Sequence, residues 1–126
     1  MLEGLYIIHD LDLDTPLYAD PDPSDVDEEA WDVAKEAIVE AVDGDGSHDD
    51  VQQVGELLVG WRYLSRPGVS FVAIVTDDVS KRLLKKFLKM LSKHYLNEVD
   101  DPTDPERDGL YDVVVDVIPP WEDEED

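Results

Sequence analysis

The chain contains no cysteine among its 126 residues. Disulfides, cysteine-held metal, thiol nucleophiles and palmitoyl anchors are therefore excluded, and a reducing compartment fits. No run of about eighteen apolar residues occurs, so no membrane-spanning helix is expected. The start, Met1-Leu2-Glu3-Gly4, lacks the basic opening of a signal peptide and the second-position glycine of a myristoylation site. These absences predict a soluble, cytoplasmic protein.

Catalytic signatures are missing too. There is no glycine-rich phosphate loop, so the chain is not itself a nucleotide hydrolase of that kind. No Gly-x-Ser-x-Gly elbow supports a Ser/His/Asp triad. His9, His48 and His94 form no metal-ligating pair such as His-x-x-x-His, and each is expected to be structural or exposed. Asp10, Asp12 and Asp14 alternate like the acids of a calcium loop, but Thr15 and Pro21 stand where that loop needs Gly and Glu. The stretch from Asp43 fails in the same way, with His48 and Val54 at those places. The expectation is no catalytic residue, no cofactor and no metal.

Positive charge is scarce. Ten lysines and arginines stand against 33 aspartates and glutamates, for a formal net charge of −23. On a small domain this is strongly self-repelling at low salt. At molar salt the Debye length is roughly 3 Å and the repulsion is screened. The balance resembles that of proteins from halophilic archaea, and most carboxylates then read as a solvated surface. The 42% hydrophobic content is enough to fold, and a chain of this length forms one domain with a real core. That domain is expected over residues 1–118, with its core in 1–96 and an acidic tail over 119–126.

The apolar run Leu5-Tyr6-Ile7-Ile8 predicts a buried strand, and Leu17-Tyr18-Ala19 a short partner in a hairpin. Asp20-Pro21-Asp22-Pro23 predicts a loop. Ser24-x-x-Asp27 suggests a capping box. Behind it Trp31, Ala34, Ile38, Ala41 and Val42 fall at helical spacing, and Gly44 ends the helix. After a polar loop over 43–50, strands are expected over 57–64 and 69–75, joined by Arg66-Pro67-Gly68 as a type II turn. Thr76-Asp77-Asp78 offers caps for a second helix, followed by a loop over 97–103. In 105–118 the helical repeat of Leu110, Val113, Val114 and Val117 competes with the strand preference of Val113-Val114-Val115, and helix is favoured. The order predicts an α+β fold with an antiparallel sheet of four or five strands flanked by helices.

Six of the ten basic residues lie in one stretch: Lys81, Arg82, Lys85, Lys86, Lys89 and Lys93. Residues 79–96 carry +6 with no acid, while the whole chain carries −23, so the rest carries −29. Leu83, Leu84, Phe87, Leu88 and Leu91 form the apolar face of this helix. Arg82, Lys86, Lys89 and Lys93 line the opposite face, with Lys81 and Lys85 at its flank. This face either balances neighbouring carboxylates or receives an acidic partner. It is the candidate partner-binding site. Anionic-membrane contact would need apolar residues exposed beside the lysines, so membrane contact is expected to be indirect at most. Nucleic acid is not expected: Trp61, Tyr63 and Phe71 could suggest a stacking sheet, but the phosphate term is repulsive almost everywhere on such a body.

Trp61-Arg62-Tyr63-Leu64, a tight turn, then Val69 to Val75 running into Thr76-Asp77-Asp78, then a helix with Phe87-Leu88 and a lysine-rich end, resembles a longin domain. The resemblance covers roughly residues 1–96. Longin and roadblock domains belong to a wider profilin-like group of trafficking subunits and small-GTPase regulators. The resemblance implies a non-enzymatic binding module, dimeric or partnered by a small Ras-like GTPase. A structural homodimer without a GTPase and a small-ligand sensor are the alternatives. Within these residues no SNARE helix or membrane anchor follows, so a fusion role is not expected, and the acidity is not a family trait.

The acid excess sets a first prediction. The melting temperature should rise from low salt to molar KCl as carboxylate repulsion is screened. A flat or falling series of thermal melts would show that the acids are locally compensated.

Overall fold

β1 (Leu2–His9) and β5 (Val69–Thr76) lie side by side near the middle of the sheet. The computed structural model describes residues 2–9, 16–20, 22–44, 48–66, 68–99, 107–117 and 119–123. β1 is buried from Gly4 to Ile8, and β5 from Val69 to Val75. Burial on both faces explains why these strands appear in the sequence as unbroken apolar runs. Leu5, Ile7, Phe71, Ala73 and Val75 point to one side, while Tyr6, Ile8, Val72 and Ile74 point to the other. A helix-covered core forms on each side.

The sheet has five antiparallel strands in the order β2-β1-β5-β4-β3. β2 (Tyr18–Asp20) closes the expected hairpin with β1, and β4 (Leu57–Leu64) pairs with β5 as expected. The fifth strand, β3 (Asp49–Val54), begins in the last two residues of the polar loop expected over 43–50 and continues through 51–54, where no element was expected. It is an edge strand whose one buried side chain is Val51, so it lacks the apolar alternation that marks half-buried strands. The two-residue connection Gly55-Glu56 fixes its register against β4. In the β4–β5 connection Gly68 takes φ 89°, while Pro67, on which the expected turn type depends, lies outside the described residues.

α1 (Glu28–Asp43) covers the face of Tyr6 and Trp61 with Ala30, Trp31, Ala34, Ala37, Ile38 and Ala41. Its cap is Asp27, which accepts the Ala30 N–H at 3.1 Å, rather than Ser24. Ser24 sits one turn earlier, in a short 3₁₀ turn (Pro23–Asp25) capped by Asp22, where a plain loop was expected. Gly44 ends α1 at φ 85°, as the sequence predicts.

α2 (Lys81–Glu98) covers the other face. Ser80, not the Thr76-Asp77-Asp78 stretch, is its N-cap, accepting the Leu83 N–H at 3.2 Å. Thr76 donates its hydroxyl to Asp78, and the Asp77 N–H bonds Glu56 O at 3.0 Å. These residues make the turn out of the sheet, and the burial of Val79 delays the helix to Ser80. α2 also runs through Asn97 and Glu98, where a loop was expected. Residues 105 and 106 of the ambiguous segment lie outside the described residues; from Arg107 it forms helix α3 (Arg107–Val115). Leu110 and Val114 of α3, with Val117 just past its end, are buried in the α2-side core, and that shared face outweighs the strand preference of three consecutive valines. The expected acidic tail begins instead as a short helix, α4 (Pro120–Asp123), whose Trp121 ring stands 5.1 Å from Phe87.

The residues expected in the core, namely Leu5, Ile7, Trp31, Ile38, Phe71, Ala73, Ile74, Leu84, Phe87 and Leu91, are all at most 9% exposed. α2 seats on β4 at Gly60, where an added Cβ would lie 2.9 Å from both Leu84 and Leu88. Gly60→Val should therefore overpack the seat and cost about 1–3 kcal/mol. Phe87→Ala should leave a cavity and cost about 3–5 kcal/mol. Urea unfolding at fixed salt measures both. Wild-type stability in Gly60→Val would contradict the close seat.

Candidate functional site

One face of α2 is fastened down by Leu83, Leu84, Phe87, Leu88, Leu91 and Tyr95. Tyr95 stands edge-on to Phe71 at 5.4 Å, locking the helix's C-terminal half over β5. Because 3.6 residues make a turn, positions 82, 86, 89 and 93 then face solvent together. All six predicted partner-binding residues, Lys81, Arg82, Lys85, Lys86, Lys89 and Lys93, are exposed on α2. The structure brings them onto one surface, as the spacing predicts.

They are not equivalent. Lys85 Nζ lies 3.7 Å from Asp50 Oδ1 on the edge strand, both side chains about half exposed. An exposed pair of this kind contributes roughly 0–1 kcal/mol. Arg82 and Lys86 are engaged as well. Lys81, Lys89 and Lys93 make no ion pair among the described residues. Part of the basic face is thus tied internally, and part is free to meet a partner.

The sequence reading missed two exposed apolar residues in this face. Met90 is 38% exposed and Leu96 is 40% exposed. Met90 follows Lys86 by four positions and precedes Lys93 by three, and Leu96 follows Lys93 by three, so both sit within the basic stripe. The signal lies in the same helical spacing that gives the buried leucines. Met90 and Leu96 thus place exposed apolar area beside the lysines, the condition set above for anionic-membrane contact, and the same area is open to a protein partner.

The aromatic and histidine candidates of the sequence lie away from this face. Trp61 and Phe71 are buried on opposite faces of the sheet, under α1 and α2 respectively, so they present no stacking platform. His94 Nε2 lies 3.9 Å from Asp116 Oδ2, between α2 and α3. His9 and His48 are on other elements, and no three His, Asp or Glu side chains converge as metal ligands among the described residues. Asp10, Asp12, Asp14 and Asp45 of the failed calcium loops lie outside the described residues.

Two kinds of perturbed group remain. Burial first, and then Asp20, Asp22 and Asp25, push the Tyr6 hydroxyl up to about 12, so it stays protonated. The Ser24 N–H and hydroxyl, both bonded to Asp22, hold that carboxyl below its usual range, and the Thr76 hydroxyl does the same for Asp78. These shifts arise from burial and from turn contacts. No protein-family model matches this chain, and no curated protein matches it.

Proposed function

We propose that this chain is a longin-like interaction module, without catalytic activity, that binds a small Ras-like GTPase through the solvent face of α2. The observation that carries the reading is the outward stripe of Lys81, Lys89 and Lys93 with Met90 and Leu96 among them. An acidic partner is repelled by a body that carries −29 outside residues 79–96. Six of the ten basic residues lie on this helix, so charge steers the encounter there and fixes its orientation. At high salt the Coulomb contribution shrinks, and Met90 and Leu96 supply contact area that salt does not screen. The GTPase rests on the longin resemblance, and the five-stranded antiparallel sheet with helices on both faces supports it as a fold. Work in the cytoplasm of a salt-adapted archaeon belongs to the same proposal.

A structural homodimer is the second reading, and the open edge of β3 is what favours it. Against it, Asp49 and Asp50 place adjacent acids on that edge, a common device against strand pairing between copies.

The structure chooses the variant for the test. Reversing Lys85 would set a glutamate beside Asp50, whereas Lys81, Lys89 and Lys93 can be reversed without breaking an ion pair among the described residues. A pulldown at native salt, repeated with GTP and GDP analogues, should retain a GTPase in a nucleotide-dependent way. The triple variant K81E/K89E/K93E should keep its circular dichroism and melting temperature but lose at least about tenfold in affinity, or about 1.4 kcal/mol. Unchanged affinity would remove the helix as the interface. A stable homodimer with no nucleotide-dependent partner would favour the second reading.

A further inference from the structure

Four basic residues lie outside α2: Lys35, Arg62, Arg66 and Arg107. Two of them, Arg62 and Arg66, line one open cleft of about 340 Å³ with His48, Asp49, Tyr63 and Ser65. The cleft lies at the end of the sheet. There the Tyr63 N–H bonds His48 O at 2.6 Å, and the Gly68 N–H closes the β4–β5 connection onto Leu64 O at 2.8 Å. The rings of His48 and Tyr63 meet edge-on at 5.6 Å.

The donors in this cleft outnumber its acceptors. Asp49 is its one carboxylate among the described residues, and its Oδ2 is already taken by Arg62 Nη1 at 3.2 Å. That contact uses one nitrogen of the guanidinium fork, while Arg62 Nε is enclosed with no acceptor. Arg66 is exposed and makes no ion pair among the described residues. In a chain with 33 acids and ten basic residues, an arginine that pairs with no carboxylate among the described residues stands out against chance pairing. The hydroxyls of Tyr63 and Ser65 and the imidazole of His48 add further donors around the same opening.

We propose that this cleft binds a small oxyanion, a carboxylate or a phosphate group. Arg66 provides the unpaired charge, and Arg62 provides a fork that Asp49 satisfies at one point. Planar guanidinium groups match the paired oxygens of such anions better than any other side chain. The site is separate from the α2 face and does not depend on the GTPase reading.

The test is an NMR titration of the full chain with inorganic phosphate and, separately, with acetate, at ionic strength held constant with KCl. Saturating amide shifts confined to His48, Tyr63, Ser65 and Arg66 are expected with at least one anion. Saturation by phosphate alone or by acetate alone supports the site and names its class. Arg66→Ala should weaken the apparent affinity about tenfold or more, and Lys89→Ala should leave it unchanged. Non-saturating shifts with both anions would overturn the proposal. So would shifts centred on the α2 lysines, or a titration that Arg66→Ala leaves as it was.

Discussion

The contact between Gly60 and α2 sets the orientation of everything the surface offers. Leu84 and Leu88 come so close to β4 that no side chain fits beneath them. The neighbouring positions on β5 and β3 are Ala73 and Val51, so a small-residue saddle underlies the helix. With Leu84 and Leu88 pinned there, and Tyr95 against Phe71, the rotation of α2 about its axis is fixed. The lysines face solvent because the leucines cannot face anywhere else.

Charge then acts on a frame already determined by packing. Among the described residues, the only non-aromatic polar side chains buried with the two cores, one under α1 and one under α2, are Ser70 and Ser92, and neither is ionised. The acid excess is therefore a property of the surface, governing salt response and encounter rather than fold. Against that field the basic helix and the Arg62–Arg66 cleft are distinct local exceptions. The helix is broad, convex and mixed with apolar side chains, which suits a macromolecule. The cleft is concave, small and rich in directional donors, which suits one anionic group.

Much of this was legible from patterning. β1 and β5 announced themselves because burial on both faces leaves no polar position to interrupt the run. The apolar period of α2 gave both its buried and its basic face. β3 was hidden because an edge strand with one buried residue, Val51, carries no alternation to read. The helix starts were misplaced for a related reason. Several residues before each helix can cap it, and tertiary burial, of Val79 before α2, decides which one does. Trp121 fell inside the expected tail because its partner, Phe87, is distant in sequence. The cleft could not be read at all: His48 and Asp49 reach Arg62 and Arg66 only through the β3–β4 pairing that the sequence concealed.

On the proposed function, a partner sits on the solvent face of α2. The six lysines provide their own control, because five are on α2 and the sixth, Lys35, is on α1 across the sheet. Amine acetylation of the chain alone and of whatever complex the pulldown retains, read by mass spectrometry, compares them directly. Protection of Lys81, Lys89 and Lys93 in the complex, with Lys35 labelled equally in both, is the result this account predicts. Equal labelling of the α2 lysines with and without the partner, or protection confined to Lys35, would contradict it.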